Sequence, residues 1–147
     1  MPEACLARLR AADVIVHAGD LSTPAVLEAL EALGPPVVAV HGNVDSPELC
    51  RRLPLRAEVP AGPATIGVVH DAGPAEGRLA RLRSAFPRAR AVVFGHSHIP
   101  LHERDEDGFQ IFNPGSATDR RRQPRHTMGE AVVAADGSIV FTLIPLD

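Results

Sequence analysis

Four short apolar runs in this sequence are each followed closely by side chains that can bind a metal ion. The runs lie at residues 14–16, 37–40, 65–69 and 91–94, and the side chains after them are Asp20, Asn43, His70, His96 and His98. Because ligands of open α/β sheets bind outside the carboxyl ends of the strands, we expect these five side chains to meet in one crevice. One carboxylate, one amide oxygen and three imidazoles form a site without sulfur. Such a site suits Mn, Fe, Zn, Ni or Co better than Mg.

Each of these residues has an ordinary structural explanation when it is taken alone. A Gly-Asp or Gly-Asn pair after a strand is usually a turn, and a single histidine at a strand end, such as His70, is usually a satisfied or exposed side chain. The segment Gly95-His96-Ser97-His98 is more specific, since two imidazoles two residues apart can face the same side. The metal site is therefore predicted by the combination and not by any one part.

The elements that must position these residues alternate between helix and strand over most of the chain. Apolar spacing and capping residues predict helices over residues 2–12, 24–33, 47–53 and 76–86. The pattern then changes: residues 109–112 predict a short strand, and residues 130–134 and 138–144 predict a hairpin. The Pro-rich passage 54–63 is assigned to no element. The economical interpretation is a single mixed-sheet α/β domain over residues 1–147.

The composition narrows the classes of function. The chain has 147 residues, a formal net charge of -3, five Phe and no Trp or Tyr, so neither a basic field nor stacking rings favour a nucleic-acid partner. No apolar run is long enough to cross a membrane and no signal peptide is evident, which predicts a cytoplasmic protein. Cys5 and Cys50 lie among apolar, helix-like residues and are expected to be buried free thiols.

The order of these motifs resembles that of the calcineurin-like metallophosphoesterases, in their small single-domain bacterial and archaeal phosphodiesterase branch. The matching motifs are Gly19-Asp20, Gly42-Asn43-Val44-Asp45, His70, Gly95-His96-Ser97-His98 and Asn113-Pro114-Gly115-Ser116. The resemblance implies a four-layer α/β/β/α sandwich with two mixed sheets. It also implies up to two divalent transition metals, with Mn expected first and Zn, Fe, Ni or Co as alternatives.

The resemblance further implies a role for each site residue. Asp20 would bridge both metals; Asn43, His70 and His96 would complete one metal site, and His98 would belong to the other. Asn113, Gly115 and Ser116 would form a turn that contacts the substrate. A hydroxide held by the paired cations would attack phosphorus in line, so no protein side chain acts as nucleophile. The expected activity is hydrolysis of a small organic phosphate, as a phosphodiesterase or phosphatase.

The sequence departs from the family pattern in two places. The family opens with a strand that ends in Asp-x-His, and no Asp-x-His occurs in this sequence. We therefore expect the first strand to be missing, the first metal to keep only Asp20 and His98, and catalysis to be much reduced. A second molecule could fill the gap, which makes a homodimer possible. Val44 stands where some relatives have a histidine that protonates the leaving group.

Several alternatives stay open. A retromer subunit of this fold acts as a scaffold with a weakened metal site, so a non-catalytic interaction module is the second hypothesis, and a shortened product of a longer enzyme is the third. The basic run of Arg120, Arg121, Arg122 and Arg125 is either a solvated loop, a contact for an anionic substrate or a contact for a nucleic-acid backbone. Asp71 either orients a ligating histidine or lies in a solvated turn.

Overall fold

The computed structural model describes residues 1–42 and 45–147 and shows helices and strands close to those predicted. The helices are α1 (Glu3–Arg10), α2 (Pro24–Glu31), α3 (Pro47–Arg52) and α4 (Arg78–Ala85). The strands are β1 (Ile15–His17), β2 (Val37–Ala39), β3 (Arg56–Ala61), β4 (Ala64–Val69), β5 (Ala91–Phe94), β6 (Leu101–Arg104), β7 (Gln110–Asn113), β8 (Thr127–Val133) and β9 (Ile139–Pro145). The strands with a strong apolar or β-branched run agree most closely with the sequence. No described helix has the length and apolarity to cross a bilayer.

The strands of the described residues form one mixed sheet and two strand pairs. A five-stranded sheet has the order β3-β4-β5-β7-β6, in which β4, β5 and β7 are parallel and the two outer strands are antiparallel to their neighbours. β1 pairs in parallel with β2, and β8 pairs with β9 as an antiparallel hairpin. The predicted α/β fold with mixed sheets is confirmed. The extent of the domain, residues 1–147, stays a prediction.

Three apolar clusters order these elements into layers. In the first, Leu82 and Phe86 from α4 and the turn after it pack against Val92 on one face of the five-stranded sheet. The second cluster lies on the other face of that sheet, where Val16 of β1 and Ile139 of β9 meet it. The third cluster covers the outer side of β2 with α2 and α3. The layers are therefore, in order, one helix, the five-stranded sheet, a second layer of strands and a layer of helices, as expected for an α/β/β/α sandwich.

Two strands were not predicted, and both lie at the edges of the five-stranded sheet. β3 contains Pro60, which has no N–H to donate, and an edge strand tolerates this because only one of its sides is paired. β6 has largely exposed, polar side chains and so lacks the apolar alternation of a half-buried strand. The prediction of two buried thiols is wrong for Cys50, which is exposed on α3, whereas Cys5 is buried.

Candidate metal centre

The carboxyl ends of β1, β4 and β5 bring three of the predicted ligands together. One ligand atom from each of Asp20, His70 and His96 lies within 4.8 Å of the other two. His70 follows β4 directly, and His96 follows β5 after one glycine. Because β4 and β5 are paired in parallel, the residues after them emerge at the same edge of the sheet. Asp20 reaches this edge from β1, which belongs to the neighbouring layer.

The ring of His70 is oriented by the backbone of the loop that carries Asp20. Its Nδ1 lies 2.6 Å from the carbonyl oxygen of Ala18, and a carbonyl can only accept, so Nδ1 carries the hydrogen. In the neutral imidazole the lone pair is then on Nε2, which faces the cluster. A buried ring fixed in this way by a backbone carbonyl is the arrangement usually found for histidines that bind metals.

The distances between the ligand atoms fit a shared cation. The Nε2 atom of His70 lies 3.3 Å from Oδ2 of Asp20 and 3.3 Å from Nδ1 of His96. Ligands at about 2.1 Å from a metal ion, in tetrahedral or octahedral geometry, lie roughly 3.0–3.4 Å apart. A carboxylate oxygen and two imidazole nitrogens are also ligands that suit divalent transition metals. The residues present therefore fit a metal ion by both spacing and chemistry.

Glycines allow the loops of the centre to approach each other closely. A Cβ atom placed on Gly42 would overlap the carboxylate and the backbone nitrogen of Asp20. A Cβ atom on Gly19 would lie 2.6 Å from Nδ1 of His70, and Gly19 also has a φ of +101°. Both positions therefore require glycine if Asp20 and His70 are to meet.

The backbone is strained at Asp20 and at two of the predicted histidine ligands. Asp20, His96 and His98 have φ values of 62°, 70° and 60°, in the left-handed region that residues with a Cβ rarely occupy. Such conformations cost on the order of 1–3 kcal/mol each and persist where the surrounding structure holds them. Three strained residues at three of the predicted ligand positions support a functional site at this edge.

His98 follows His96 by two residues but does not belong to the group of three clustered ligands. Its Nδ1 is 2.7 Å from the carbonyl oxygen of Asp119, so this nitrogen donates and Nε2 keeps the lone pair. His98 is thus oriented by a backbone carbonyl in the same way as His70, but by a different loop. Asn43, the remaining predicted ligand, lies outside the described residues.

The three residues predicted to contact the substrate lie at the end of β7 and in the turn after it. Asn113 is fully buried, and its Nδ2 donates to the carbonyl oxygen of Gly95 at 3.1 Å and to Oγ of Ser97 at 3.2 Å. Its Oδ1 accepts from the N–H of Gly115 at 3.0 Å. Asn113 therefore joins residues 95–98, which we call the histidine loop, to the turn at Gly115 and Ser116. Contact of these residues with a substrate stays a prediction.

Comparison with known proteins identifies the family. The calcineurin-like phosphoesterase superfamily domain matches residues 1–136. The chain belongs to this superfamily. It is 32% identical over 120 residues to a probable metallophosphoesterase of Methanothermobacter thermautotrophicus, a match that covers 80% of this chain and 68% of that protein. A probable metallophosphoesterase of Methanocaldococcus jannaschii is 29% identical over 150 residues, with 100% of this chain and 73% of that protein covered.

The fold is also similar to that of solved structures. Wild-type Vps29 of Entamoeba histolytica, complexed with Zn²⁺, superposes with a TM-score of 0.78 at 20% identity, covering 100% of this chain and 91% of that one. At this identity the likeness concerns the fold alone. Proteins of this superfamily use divalent metals. The candidate metal centre of this chain lies at the carboxyl ends of β1, β4 and β5.

Asp45 is a residue that positions two loops of the candidate metal centre, and the sequence analysis quoted it in a motif but did not assign it. Its buried carboxylate accepts hydrogen bonds from the backbone N–H groups of Asp20 at 2.9 Å, Ser22 at 2.6 Å and Gly42 at 2.5 Å. It thus joins the loop after β1 to the loop after β2. The only signal in the sequence was its place two residues after Asn43.

Asp71 and His17 have structural roles near the candidate metal centre. Oδ1 of Asp71 accepts a hydrogen bond from the N–H of Gly73 at 2.8 Å. Of the two alternatives for this exposed residue, orienting a histidine or lying in a turn, the contact corresponds to the turn. Nδ1 of His17 accepts from the N–H of Gly19 at 3.1 Å. Burial lowers the pKa of His17 to about 4, although the nearby carboxylates of Asp45 and Asp20 act in the opposite direction. At neutral pH this imidazole is therefore uncharged.

The low pKa of His17 predicts loss of stability in mild acid. An unfolded histidine has a pKa of about 6.5, so between pH 6.5 and 4 the unfolded state binds a proton that the folded state does not. The free energy of unfolding should therefore fall as the pH falls through this window, by about 3 kcal/mol from this residue. Urea unfolding in EDTA at several pH values from 7 to 4.5 measures it.

The control for this prediction is His17→Gln. Glutamine keeps an oxygen that can accept from Gly19 but does not titrate, so the variant should lose less stability than the wild type over the same pH range. Parallel curves for the two proteins would show that the acid sensitivity arises elsewhere.

Proposed function

We propose that this chain is a metal-dependent phosphodiesterase that hydrolyses a small organic phosphate ester. The observation that carries the proposal is the meeting of Asp20, His70 and His96, with the lone pair of His70 directed at the other two ligands. A carboxylate and two imidazoles in this spacing form a metal site of the type that the superfamily uses for hydrolysis. Manganese is the metal that we expect first.

The proposed ligand set divides between two metal positions. Asp20, Asn43, His70 and His96 would hold one metal ion, and Asp20 and His98 would contribute to a second. When bound, divalent metals lower the pKa of water and neutralise charge that develops on phosphoryl oxygens. The protein orients two of the ligands: the carbonyl groups of Ala18 and Asp119 fix the rings of His70 and His98, respectively. Gly115 and Ser116 would line the side of the site that faces the substrate.

The second metal position limits the turnover that we propose. Asp20 and His98 are the two residues assigned to it within residues 1–147, where no Asp-x-His motif occurs. Two protein ligands are fewer than a tight site uses, so this ion should exchange readily. We therefore propose that residues 1–147 by themselves turn over slowly and depend on millimolar free metal.

The experiment is hydrolysis of bis(p-nitrophenyl) phosphate after the protein has been stripped with EDTA and reloaded with Mn²⁺ or Zn²⁺. Metal content should be measured on the same samples after dialysis, and p-nitrophenyl phosphate should be compared as a monoester. We expect one tightly held metal ion, turnover that requires added Mn²⁺, and faster hydrolysis of the diester. Absence of both metal retention and turnover would contradict the proposal.

A second candidate function is that of a non-catalytic interaction module. The likeness in fold to Vps29 favours it, as do Val132 and Val140, which form an exposed cross-strand pair on β8 and β9. The clustered ligands argue against it, because a scaffold has no need of an oriented metal site. Retention of metal without hydrolysis of any phosphate ester would support this candidate over the phosphodiesterase.

A further inference from the structure

The segment between β7 and β8 concentrates positive charge beside the candidate metal centre. Residues 116–126, which we call the arginine loop, contain Arg120, Arg121, Arg122 and Arg125, all exposed. Asp119 is the single carboxylate in this segment, so four arginines less one aspartate leave three positive charges with His126 neutral. The chain as a whole carries a formal net charge of -3, so this charge is local.

The arginine loop is attached directly to the loop that carries the histidines. The carbonyl oxygen of Asp119 accepts from Nδ1 of His98 at 2.7 Å. Nη1 of Arg121 donates to the carbonyl oxygen of Ser97 at 3.4 Å, and Ser97 lies between His96 and His98 in the chain. The guanidinium group of Arg121 is therefore held against the backbone between two of the proposed metal ligands.

The conformation of Arg121 is constrained by its own loop. Its φ is 50°, which a residue with a Cβ rarely adopts, and its N–H donates to Oδ1 of Asp119 at 3.1 Å. Arg121 lies within a turn from Arg120 to Gln123, which is closed by a backbone hydrogen bond of 2.9 Å. In the part of the chain that the structure describes, Ser97 is the one acceptor for the five N–H donors of this guanidinium. The remaining donors are available to an anion.

We propose that the arginine loop is a subsite for a second anionic group of the substrate, with Arg121 as its specificity-determining residue. This rests on the proposed phosphodiesterase function. A single phosphodiester carries one negative charge, which bound metal would neutralise at the candidate metal centre. Asp147 partly compensates the charge of the loop through His126 and Arg120, but Arg121 keeps free donors. These donors match a substrate with an additional phosphate group, because a guanidinium fork fits phosphate oxygens in pairs. The substrate class is thus a phosphodiester that carries a second phosphate.

The test compares two chromogenic substrates that differ only in the second phosphate. These are thymidine 5′-(p-nitrophenyl phosphate) and the same compound with a phosphate on the 3′ oxygen. For the wild type we expect a higher kcat/KM with the 3′-phosphorylated compound. Arg121→Gln should reduce this value about tenfold, mainly through KM, and should change it less than about twofold for the compound without the phosphate. Arg121→Lys should lie between, since lysine keeps the charge but not the fork.

The matched control is Arg88→Gln. Arg88 is also exposed, but it precedes β5 and so lies at the opposite end of that strand from His96. The Arg88→Gln variant should have the same ratio of kcat/KM values for the two substrates as the wild type. An equal loss for both substrates in Arg121→Gln would place Arg121 on the scissile phosphate and overturn the second-anion proposal, as would no loss for either.

A binding measurement separates this proposal from the proposed function. Calorimetric titration of the Mn²⁺-loaded protein with thymidine 3′,5′-bisphosphate and with thymidine 5′-phosphate needs no turnover. We expect the wild type to bind the bisphosphate about tenfold more tightly, and Arg121→Gln to bind both alike. That result in a protein without turnover would contradict the phosphodiesterase and uphold the subsite. Turnover together with equal binding of the two nucleotides would uphold the phosphodiesterase function and contradict the subsite.

Discussion

Replacing His96 with alanine is expected to remove the bound metal ion and to lower the hydrolysis of bis(p-nitrophenyl) phosphate on the order of a thousandfold. Nδ1 of His96 faces Nε2 of His70 at 3.3 Å, so the change removes one of three clustered ligand atoms. A site that loses one of so few protein ligands holds its metal much more weakly. Metal content after dialysis and kcat/KM at fixed Mn²⁺ are the two measurements.

His102→Ala is the matched control for His96→Ala. His102 lies on the edge strand β6, where its side chain is exposed and hydrogen-bonds to Gln110 at 2.7 Å. We expect this variant to keep its metal and nearly all of its activity. If His96→Ala also kept both, the three-residue cluster would not be the catalytic centre. A normal unfolding curve for His96→Ala would separate loss of a ligand from loss of the fold.

The central strands were predictable because burial on both faces leaves a clear trace in sequence. β4 and β5 lie in the interior of the five-stranded sheet, and short runs rich in Val, Ile and Ala are typical of strands buried on both faces. The edge strands β3 and β6 have no such requirement. Pro60 and the polar side chains of β6 are acceptable there because one side of each strand faces away from the sheet.

The site was predictable where a ligand directly follows a central strand. His70 directly follows β4 and His96 follows β5 after Gly95, so the parallel pairing of those strands brings the two histidines together. Loop contacts were not predictable in this way. His98 is hydrogen-bonded to Asp119, and Asn113 to the histidine loop. Both contacts depend on how the chain at the end of β7 and after it folds back over the sheet edge. Short-range sequence patterns contain no information on such long-range packing.

The three hydrogen bonds to Asp45 suggest that this carboxylate, which the sequence did not assign, has a large effect. We expect Asp45→Asn to lower the free energy of unfolding by about 3 kcal/mol, since hydrogen bonds to a charged group each contribute about 1.5–3 kcal/mol and the amide can still accept some of them. The loops that carry Asp20 and Gly42 would also separate, so the affinity for Mn²⁺ should fall roughly 10–100-fold. Urea unfolding in EDTA and a Mn²⁺ titration measure the two effects.

Asp136→Asn provides the comparison for Asp45→Asn. Asp136 also accepts a backbone hydrogen bond, from Ser138 at 2.9 Å, but it lies exposed in the hairpin turn between β8 and β9. Water can replace its interactions, so its substitution should cost less than about 1 kcal/mol and leave the affinity for Mn²⁺ unchanged. Similar losses in the two variants would mean that burial of the Asp45 carboxylate adds nothing. A stable Asp45→Asn variant with weakened metal binding would instead separate its effect on the centre from its effect on the fold.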